Sequence, residues 1–318
     1  MLHVYLYFLI LAISVLVLWF AGDNAVKYSL QTAKMFNLSS LFVGLLLIGV
    51  STGIPELAIT FIALFKGVPD LALGDLMGTC IVDIGLALGL AFLIGGTFKL
   101  KPKQSQHASF MLLIVFISLG LSFIGGYLEW IYGLVLIFSY GLCVWWMIKV
   151  RTPEEKKEAE ERKEEAQVKN KKFIVILKLA TSIILILVAS NFAINYALKI
   201  SDALHLPSAI VGATIFAIGT SIPEIFLAIC SVRRKQYALA LGTCIGSVLL
   251  VVTFNLGILA FFAKTPLNVK PLISILPYLM ITYSLLIFSM HFRKKLGRFE
   301  GAILLAVFLI YLAYEIWP

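Results

Sequence analysis

Twice in this chain an apolar run long enough to cross a bilayer is interrupted near its middle by a Pro-Glu pair. The run from Leu41 to Phe65 contains Gly49-Val50-Ser51-Thr52-Gly53-Ile54-Pro55-Glu56, and Ala217-Ile218-Gly219-Thr220-Ser221-Ile222-Pro223-Glu224 repeats the pattern. Proline carries no N–H, so the helical bond to the carbonyl four residues back, that of Ser51 in the first copy, cannot form and the helix must break or kink. A glutamate at that depth is costly unless it has partners. Irregular backbone persists inside a bilayer only when buried in protein or lining an aqueous cavity. Two such breaks predict a site rather than an accident.

The surrounding composition allows no soluble alternative. The chain has 318 residues, 61% of them hydrophobic and 14% charged, with a mean hydropathy of +0.99. The predicted fold is an all-α membrane protein with ten transmembrane helices at 4–21, 38–64, 71–95, 108–126, 129–149, 173–190, 206–232, 239–263, 271–290 and 300–316. Met1 to Tyr7 holds no Lys or Arg and no small-x-small cleavage site follows, so the first run is expected to be a span rather than a leader. The net charge of +9 lies in loops and predicts no nucleic-acid binding. Cys80, Cys143, Cys230 and Cys244 fall within spans without metal-binding spacing and read as packing residues. His107 and His291 fall in predicted loops, and His205 near the outer surface. Trp19, Trp130, Trp145, Trp146 and Trp317 lie toward span ends, as interface anchors do.

The two halves are copies. Residues 41–90 aligned without gaps on 209–258 share 13 identities in 50, at a constant shift of 168. Among them are Gly44/Gly212, Thr52/Thr220, Pro55/Pro223, Glu56/Glu224, Gly74/Gly242, Gly78/Gly246 and Gly89/Gly257, and the register reaches out to Tyr28/Tyr196 and Gly133/Gly301. The predicted organisation is a first five-helix repeat over 1–150, a charged cytoplasmic linker over 151–172 and a second five-helix repeat over 173–318. An odd number of spans per copy makes the second copy enter the membrane upside down. Loop charge agrees: with the N-terminus outside, inner loops carry 21 basic residues and outer loops 4. Both termini are then extracellular, in a multi-pass protein of the plasma membrane. Inverted repeats with broken helices meeting at the midplane are the architecture of secondary transporters.

Each broken span is followed by one with a polar stripe. In the third, Thr79 and Asp83 face the same way, with Asp75 one turn back; in the eighth the matching face holds Ser247, Val251 and Asn255. Asp75 itself reads as an interfacial cap or water-facing residue, since Thr243 takes its place in the second half. Glycines 74, 78, 242 and 246 permit close helix approach. Convergence of the four spans would gather Glu56, Glu224 and Asp83 with the hydroxyls of Ser51, Thr52, Thr79, Thr220, Ser221 and Ser247. An all-oxygen, carboxylate-rich set suits a hard cation such as Ca²⁺. Crowded carboxylates cannot all stay ionised in an empty low-dielectric pocket. The pocket must therefore hold a divalent ion, several monovalent ions or protons, and that competition is the basis of exchange.

At these residues the chain resembles the sodium/calcium exchanger family of the Ca²⁺:cation antiporters. The resemblance covers both halves through the paired Gly/Ser-Thr-x-x-Pro-Glu segments and the Gly-x-x-x-Gly-[Ser/Thr] segments. It implies a four-helix core from spans 2, 3, 7 and 8, with spans 1 and 6 sliding as a gating pair. It also implies that Glu56 and Glu224 are the central Ca²⁺ ligands, with the carbonyls of Thr52 and Thr220 beside them. Flanking Na⁺ sites would use Thr79, Ser247, the Ser221 hydroxyl and the backbone near Gly49 and Ala217. Departures from the pattern are Asp83 where Asn is common, Val251 where Asn or Asp is common, and Gly53 in place of Ser; Asn255, one turn past Val251, would partly compensate. The expected function is Ca²⁺/Na⁺ antiport by a monomer in the lipid bilayer, with no cofactor and no enzymatic chemistry. H⁺ is the alternative counter-ion. A cation channel built from the same oxygens, and an intramembrane acid protease using Asp75 and Asp83, are the other classes.

Overall fold

The structure, a computed structural model, describes residues 2–36, 38–67, 69–123, 127–149, 172–203, 217–263, 267–268, 274–293 and 295–316. The chain is helical almost throughout. The first helix, α1, runs over Leu2–Phe36. Next come α2, from Ser40–Phe42 through a π-helical stretch Val43–Ile48 into Gly49–Thr52, and α3 (Ile54–Lys66). Helix α4 is Pro69–Ile81 continued through π-helical Val82–Leu88 into Gly89–Gly95. Then follow α5 (Pro102–Phe123), α6 (Trp130–Lys149), α7 (Lys172–Ala203), α8 (Ala217–Thr220) and α9 (Ile222–Arg233). Helix α10 is Tyr237–Leu249 continued through π-helical Leu250–Asn255 into Leu256–Phe262. Helix α11 spans Leu276–Phe288 and a π-helical end Ser289–Arg293, and α12 spans Arg298–Ile316. Among the described residues seven helices are long and apolar enough to cross a membrane.

Two spans expected to be short are long. The first was predicted to end at residue 21 and the sixth at 190, yet α1 reaches Phe36 and α7 reaches Ala203. Hydropathy marks where the apolar stretch stops, whereas a helix continues through residues such as Lys27 and Lys34 that have good helix propensity. His107 and His291 likewise lie on helical segments, not in loops. The linker 151–172 lies outside the described residues except for Lys172, as do 206–216 of the seventh predicted span, 271–273 of the ninth, His205 and Trp317.

Burial sorts the helices into a centre and a periphery. In the most apolar stretch of each, 78% of α4 and 83% of α10 is buried, against 22% of α1 and 28% of α7. Exposed apolar side chains on α1, such as Leu9, Leu16 and Phe20, suit a lipid-facing surface. Helices α1 and α7 lie antiparallel: Tyr7 meets Tyr196 at one end and Lys178 lies over Tyr28 at the other. Their small residues Ala21, Ala25 and Ala189 join Leu18, Ile186 and parts of α2, α9 and α10 in an apolar cluster separate from the main core. At one end α1 is tied to the C-terminal end of α9, where Arg234 donates two hydrogen bonds to Asp23 and Arg233 lies 4.3 Å over the Trp19 ring.

Backbone-to-backbone crossings set the centre. A Cβ placed on Gly44 would lie 2.9 Å from the Gly242 Cα, and one on Gly49 would lie 2.8 Å from the Ser247 nitrogen, so α2 and α10 touch along their main chains. Gly89 of α4 meets Gly301 of α12, and Gly257 of α10 meets Gly133 of α6. These last two crossings map onto each other under the 168-residue shift, each pairing a glycine of one half with one of the other. Gly74, expected at a close crossing, has nothing within 4 Å of a placed Cβ; Gly212, the counterpart of its equivalent's partner Gly44, lies outside the described residues. Two short strand contacts complete the frame. Tyr127–Leu128 (β1) pairs antiparallel with Leu267–Asn268 (β2), and Phe98 bridges Leu296, at the opposite end of α5.

Candidate cation-binding site

Both predicted breaks form, with the same geometry. Gly53, between α2 and α3, has φ −82° and ψ 4°; Ser221, between α8 and α9, has φ −85° and ψ 5°. In each copy the next helix restarts on the break residue's carbonyl: Leu57 N–H donates to Gly53 O at 3.2 Å and Ile225 N–H to Ser221 O at 3.0 Å. Proline then falls in the first turn of α3 and of α9, where its missing N–H costs little. Pro55 and Pro223 so leave the carbonyls of Ser51 and Gly219 without their usual helical donor. The glutamate that follows each proline is carried into the core.

Glu56 and Glu224 are fully buried, as are Asp83, Thr79, Ser221, Ser247 and Asn255, and their charges interact. Glu224 accepts a 3.4 Å hydrogen bond from Ser247 Oγ and stands beside Thr52 of the other half. Asp83 stands beside Ser221 and Ser247, again across the halves, and its charge reaches both glutamates. Both oxygens of Glu56 and of Asp83, Oε2 of Glu224, the hydroxyls of Thr79 and Ser221 and the whole Asn255 amide have no hydrogen-bond partner. So dense a set of orphaned buried oxygens is what a dehydrated cation would satisfy, because an unpaired buried polar group is expensive and a buried charge far more so. Among the described residues no three His, Cys, Asp or Glu side chains form a metal-holding cluster by themselves. Hydroxyls and carbonyls must therefore supply part of any six- to eight-oxygen shell.

Other predicted residues fall differently. Ser51 donates to the Leu47 carbonyl of its own helix at 2.6 Å. Thr52 Oγ1 donates to the Ile48 carbonyl at 3.1 Å, and the Gly49 carbonyl accepts from Gly53 N–H at 3.1 Å. Ala217 opens the short helix α8 that leads into the second break. Val251 is fully buried in the main core, and Asn255 ends the π-helical stretch of α10. That stretch, Leu250–Asn255, begins 168 residues after the one containing Asp83, Val82–Leu88. π-Helical turns concentrate at functional sites because they re-aim one side of a helix. A Cβ on Gly53 would lie 2.6 Å from Leu250 Cδ2, so a leucine side chain occupies the space a serine there would need.

Three neighbours were not anticipated. Tyr283 of α11 is fully buried, donates a 3.4 Å hydrogen bond to the Cys80 carbonyl and lies within electrostatic reach of Asp83. Cys80 and Cys244, both free and buried, flank the carboxylates. A tyrosine within an otherwise apolar span was the only signal for the first, and a cysteine's burial gives none. Asp75 is 5% exposed and is the seventh residue of α4, past the first turn. It is neither an N-terminal cap nor a water-facing residue, contrary to the sequence expectation, because the helix starts at Pro69 and packing already covers Ala72 and Leu73 before it.

Both halves of the chain are similar to known membrane proteins. The model of the family described as "Sodium/calcium exchanger protein" matches twice, over residues 6–149 and 174–317. The membrane protein MJ0091 of Methanocaldococcus jannaschii is 28% identical over 315 residues, 96% of each chain. The sodium/calcium exchanger MaX1 of Methanosarcina acetivorans is 22% identical, covering 96% of this chain and 97% of its own. A solved structure of the sodium-calcium exchanger NCX_Mj, soaked with 2.5 mM Na⁺ and 0.1 mM Ca²⁺, superposes with a TM-score of 0.83 at 25% identity, covering 98% of this chain and 97% of that one.

Proposed function

Because this chain belongs to the sodium/calcium exchanger protein family, we propose that it exchanges Ca²⁺ for Na⁺ by alternating access at the pocket of Glu56 and Glu224. The observation that carries the reading is the pair of buried, mutually interacting glutamates, with most of their oxygens unpaired and no buried Lys or Arg among the described residues to neutralise them. Ca²⁺ would take the two glutamates with the Thr52 and Thr220 carbonyls; Na⁺ ions would use Asp83, Thr79, Ser221, Ser247, Asn255 and the backbone at Gly49 and Ala217. Empty of metal ions, the pocket must take up protons or bear uncompensated charge in a low dielectric, which disfavours a return without cargo. Competition between one divalent and several monovalent ions for the same oxygens couples the two fluxes.

The proposed architecture is ten spans in two inverted five-helix repeats, 1–150 and 173–318, joined by the cytoplasmic linker 151–172. The antiparallel packing of the equivalent helices α1 and α7 supports it, as do the symmetry-related Gly89–Gly301 and Gly257–Gly133 crossings. Strand contacts at opposite ends of α5 fit the same scheme. Loop charge favours a plasma-membrane protein with both termini outside. The α1–α7 pair, more lipid-exposed and packed through its own cluster of small residues, is the unit that slides over the four-helix centre.

The deciding experiment is ⁴⁵Ca²⁺ uptake into vesicles reconstituted with the pure protein, driven separately by a Na⁺ gradient and a pH gradient. Uptake against a calcium gradient is expected with Na⁺ inside. Uptake only with the pH gradient would make H⁺ the counter-ion, and dissipation of every gradient would indicate a channel. Val251→Asp places a second aspartate 168 residues from Asp83 and is expected to change the Na⁺ concentration that half-inhibits uptake by roughly tenfold, the worth of ~1.4 kcal/mol. Unchanged calcium affinity and sodium competition in a folded variant would remove Val251 from the site.

A further inference from the structure

The two copies do not hold their first helices alike. On α9, Ile222, Phe226 and Arg233 lie on one stripe, and α1 covers it. Ile222 and Phe226 pack against the buried cluster that holds Leu18, Ala21 and Ala25, Phe226 meets Trp19 edge-on at 6.3 Å, and Arg233 lies over the same ring. Their equivalents on α3, 168 residues earlier, are Ile54, Ala58 and Phe65, and all three are exposed, Phe65 to 88%. Helix α7, the counterpart of α1, therefore leaves uncovered the face of α3 that α1 covers on α9. In the topology proposed above, the covered face leads to the cytoplasm and the uncovered one to the outside.

The contact that fastens α1 is polar and has no counterpart on the other side. Arg234 donates two hydrogen bonds to Asp23, a bidentate ion pair, next to Arg233 at 4.3 Å over Trp19. The equivalents of Asp23 and Arg234 are Asn191 and Lys66, and those of Trp19 and Arg233 are Leu187 and Phe65. Asn191 carries no charge and accepts a hydrogen bond from Asn195 of its own helix, and Leu187 and Phe65 offer neither a cation nor an indole. Closure of α7 over α3 would thus gain neither interaction. Helices α1 and α7 are clasped to each other at both ends: Lys199 lies 4.5 Å over Tyr196 and 5.6 Å over Tyr7, and Lys178 lies 5.5 Å over Tyr28. Resting on the sliding pair of the antiporter reading, we propose that Asp23, Arg234, Arg233 and Trp19 form a one-sided latch. It biases the α1–α7 pair toward the position that shuts the cytoplasmic side of the site, and it opens in every transport cycle.

Gly22 supplies a direct probe, since a Cβ placed there would lie 3.9 Å from the Cys230 Cβ, within the span of a disulfide. In Gly22→Cys, mild oxidation is expected to link the new cysteine to Cys230 and to stop ⁴⁵Ca²⁺ uptake until a reductant is added; Cys230→Ser in the same protein removes the link. Asp23→Asn and Arg234→Gln should each slow that crosslinking. Each should also raise the ratio of outer to inner half-saturating Ca²⁺ by about fivefold, the worth of ~1 kcal/mol and the upper end for an exposed ion pair. Exchanging the charges, Asp23→Arg with Arg234→Asp, should restore both readings toward wild type. Full-rate uptake by the crosslinked protein overturns the latch, because the contact would not need to open. An unchanged ratio in the folded single variants overturns it too, as does a ratio that falls, which would assign the latch to the opposite position. Wild-type protein without Na⁺-driven uptake overturns the antiporter reading; the crosslinking rates, which need no transport, then decide the latch alone.

Discussion

Glu56→Gln and Glu224→Gln are each expected to lower Na⁺-driven ⁴⁵Ca²⁺ uptake by on the order of 100-fold or more, since each removes a charged ligand from a pocket whose cation affinity depends on ligand charge. Glutamine keeps the size of the side chain and one acceptor oxygen, so the helix crossings should survive. Glu56 and Glu224 are both fully buried, and a neutral side chain relieves some of the repulsion in the empty pocket. Both variants should therefore be at least as stable to heat in detergent as wild type while being inactive. Normal uptake by either one would detach that glutamate from the transport site. Equal loss of folding and function would instead make the pair structural.

Gly242→Val should be as damaging for a different reason. A Cβ at this position would lie 2.5 Å from the Leu41 carbonyl oxygen and 3.1 Å from the Gly44 Cα. Both are main-chain atoms and cannot rotate away, so α2 and α10 would have to separate. The expected cost is on the order of 3 kcal/mol, at the upper end for overpacking. It should appear as a lowered unfolding temperature together with lost transport, because Ser247, the residue after Gly246, sits on that crossing at 2.8 Å from a Cβ placed on Gly49 and hydrogen-bonds Glu224. Gly120→Val is the control, since nothing lies within 4 Å of a Cβ there. A Gly242→Val protein as stable as the control would show that the crossing does not set the centre of the molecule.

Much of the site could be read from the linear chain because its signals are local. Pro55 and Pro223 break helices whatever packs around them, and Gly53 and Ser221 take nearly the same backbone angles. The 168-residue register relates two glycine crossings to each other: Gly89 touches Gly301, and their equivalents Gly257 and Gly133 touch in turn. A hydroxyl's address in sequence does not say whether it bonds back to its own helix, as Ser51 does to Leu47 and Thr52 to Ile48. Asp75 is buried where the sequence reading made it a cap or a water-facing residue, because the threonine that takes its place in the other half, Thr243, says nothing about depth.

By itself, the order of residues determined that this is a helical membrane protein made of two copies of one motif, each with a helix broken before a glutamate. Hydropathy, proline chemistry and repeat spacing act within a single segment and need no partner. Only the tertiary structure decided that Ser247 hydrogen-bonds Glu224 and that Asp75 and Asp83 are buried as the two glutamates are. Helical periodicity states which residues share one face of one helix. Which faces meet, and at what depth, is set by how closely two backbones can approach, and here that is fixed by the glycines of α2 and α10.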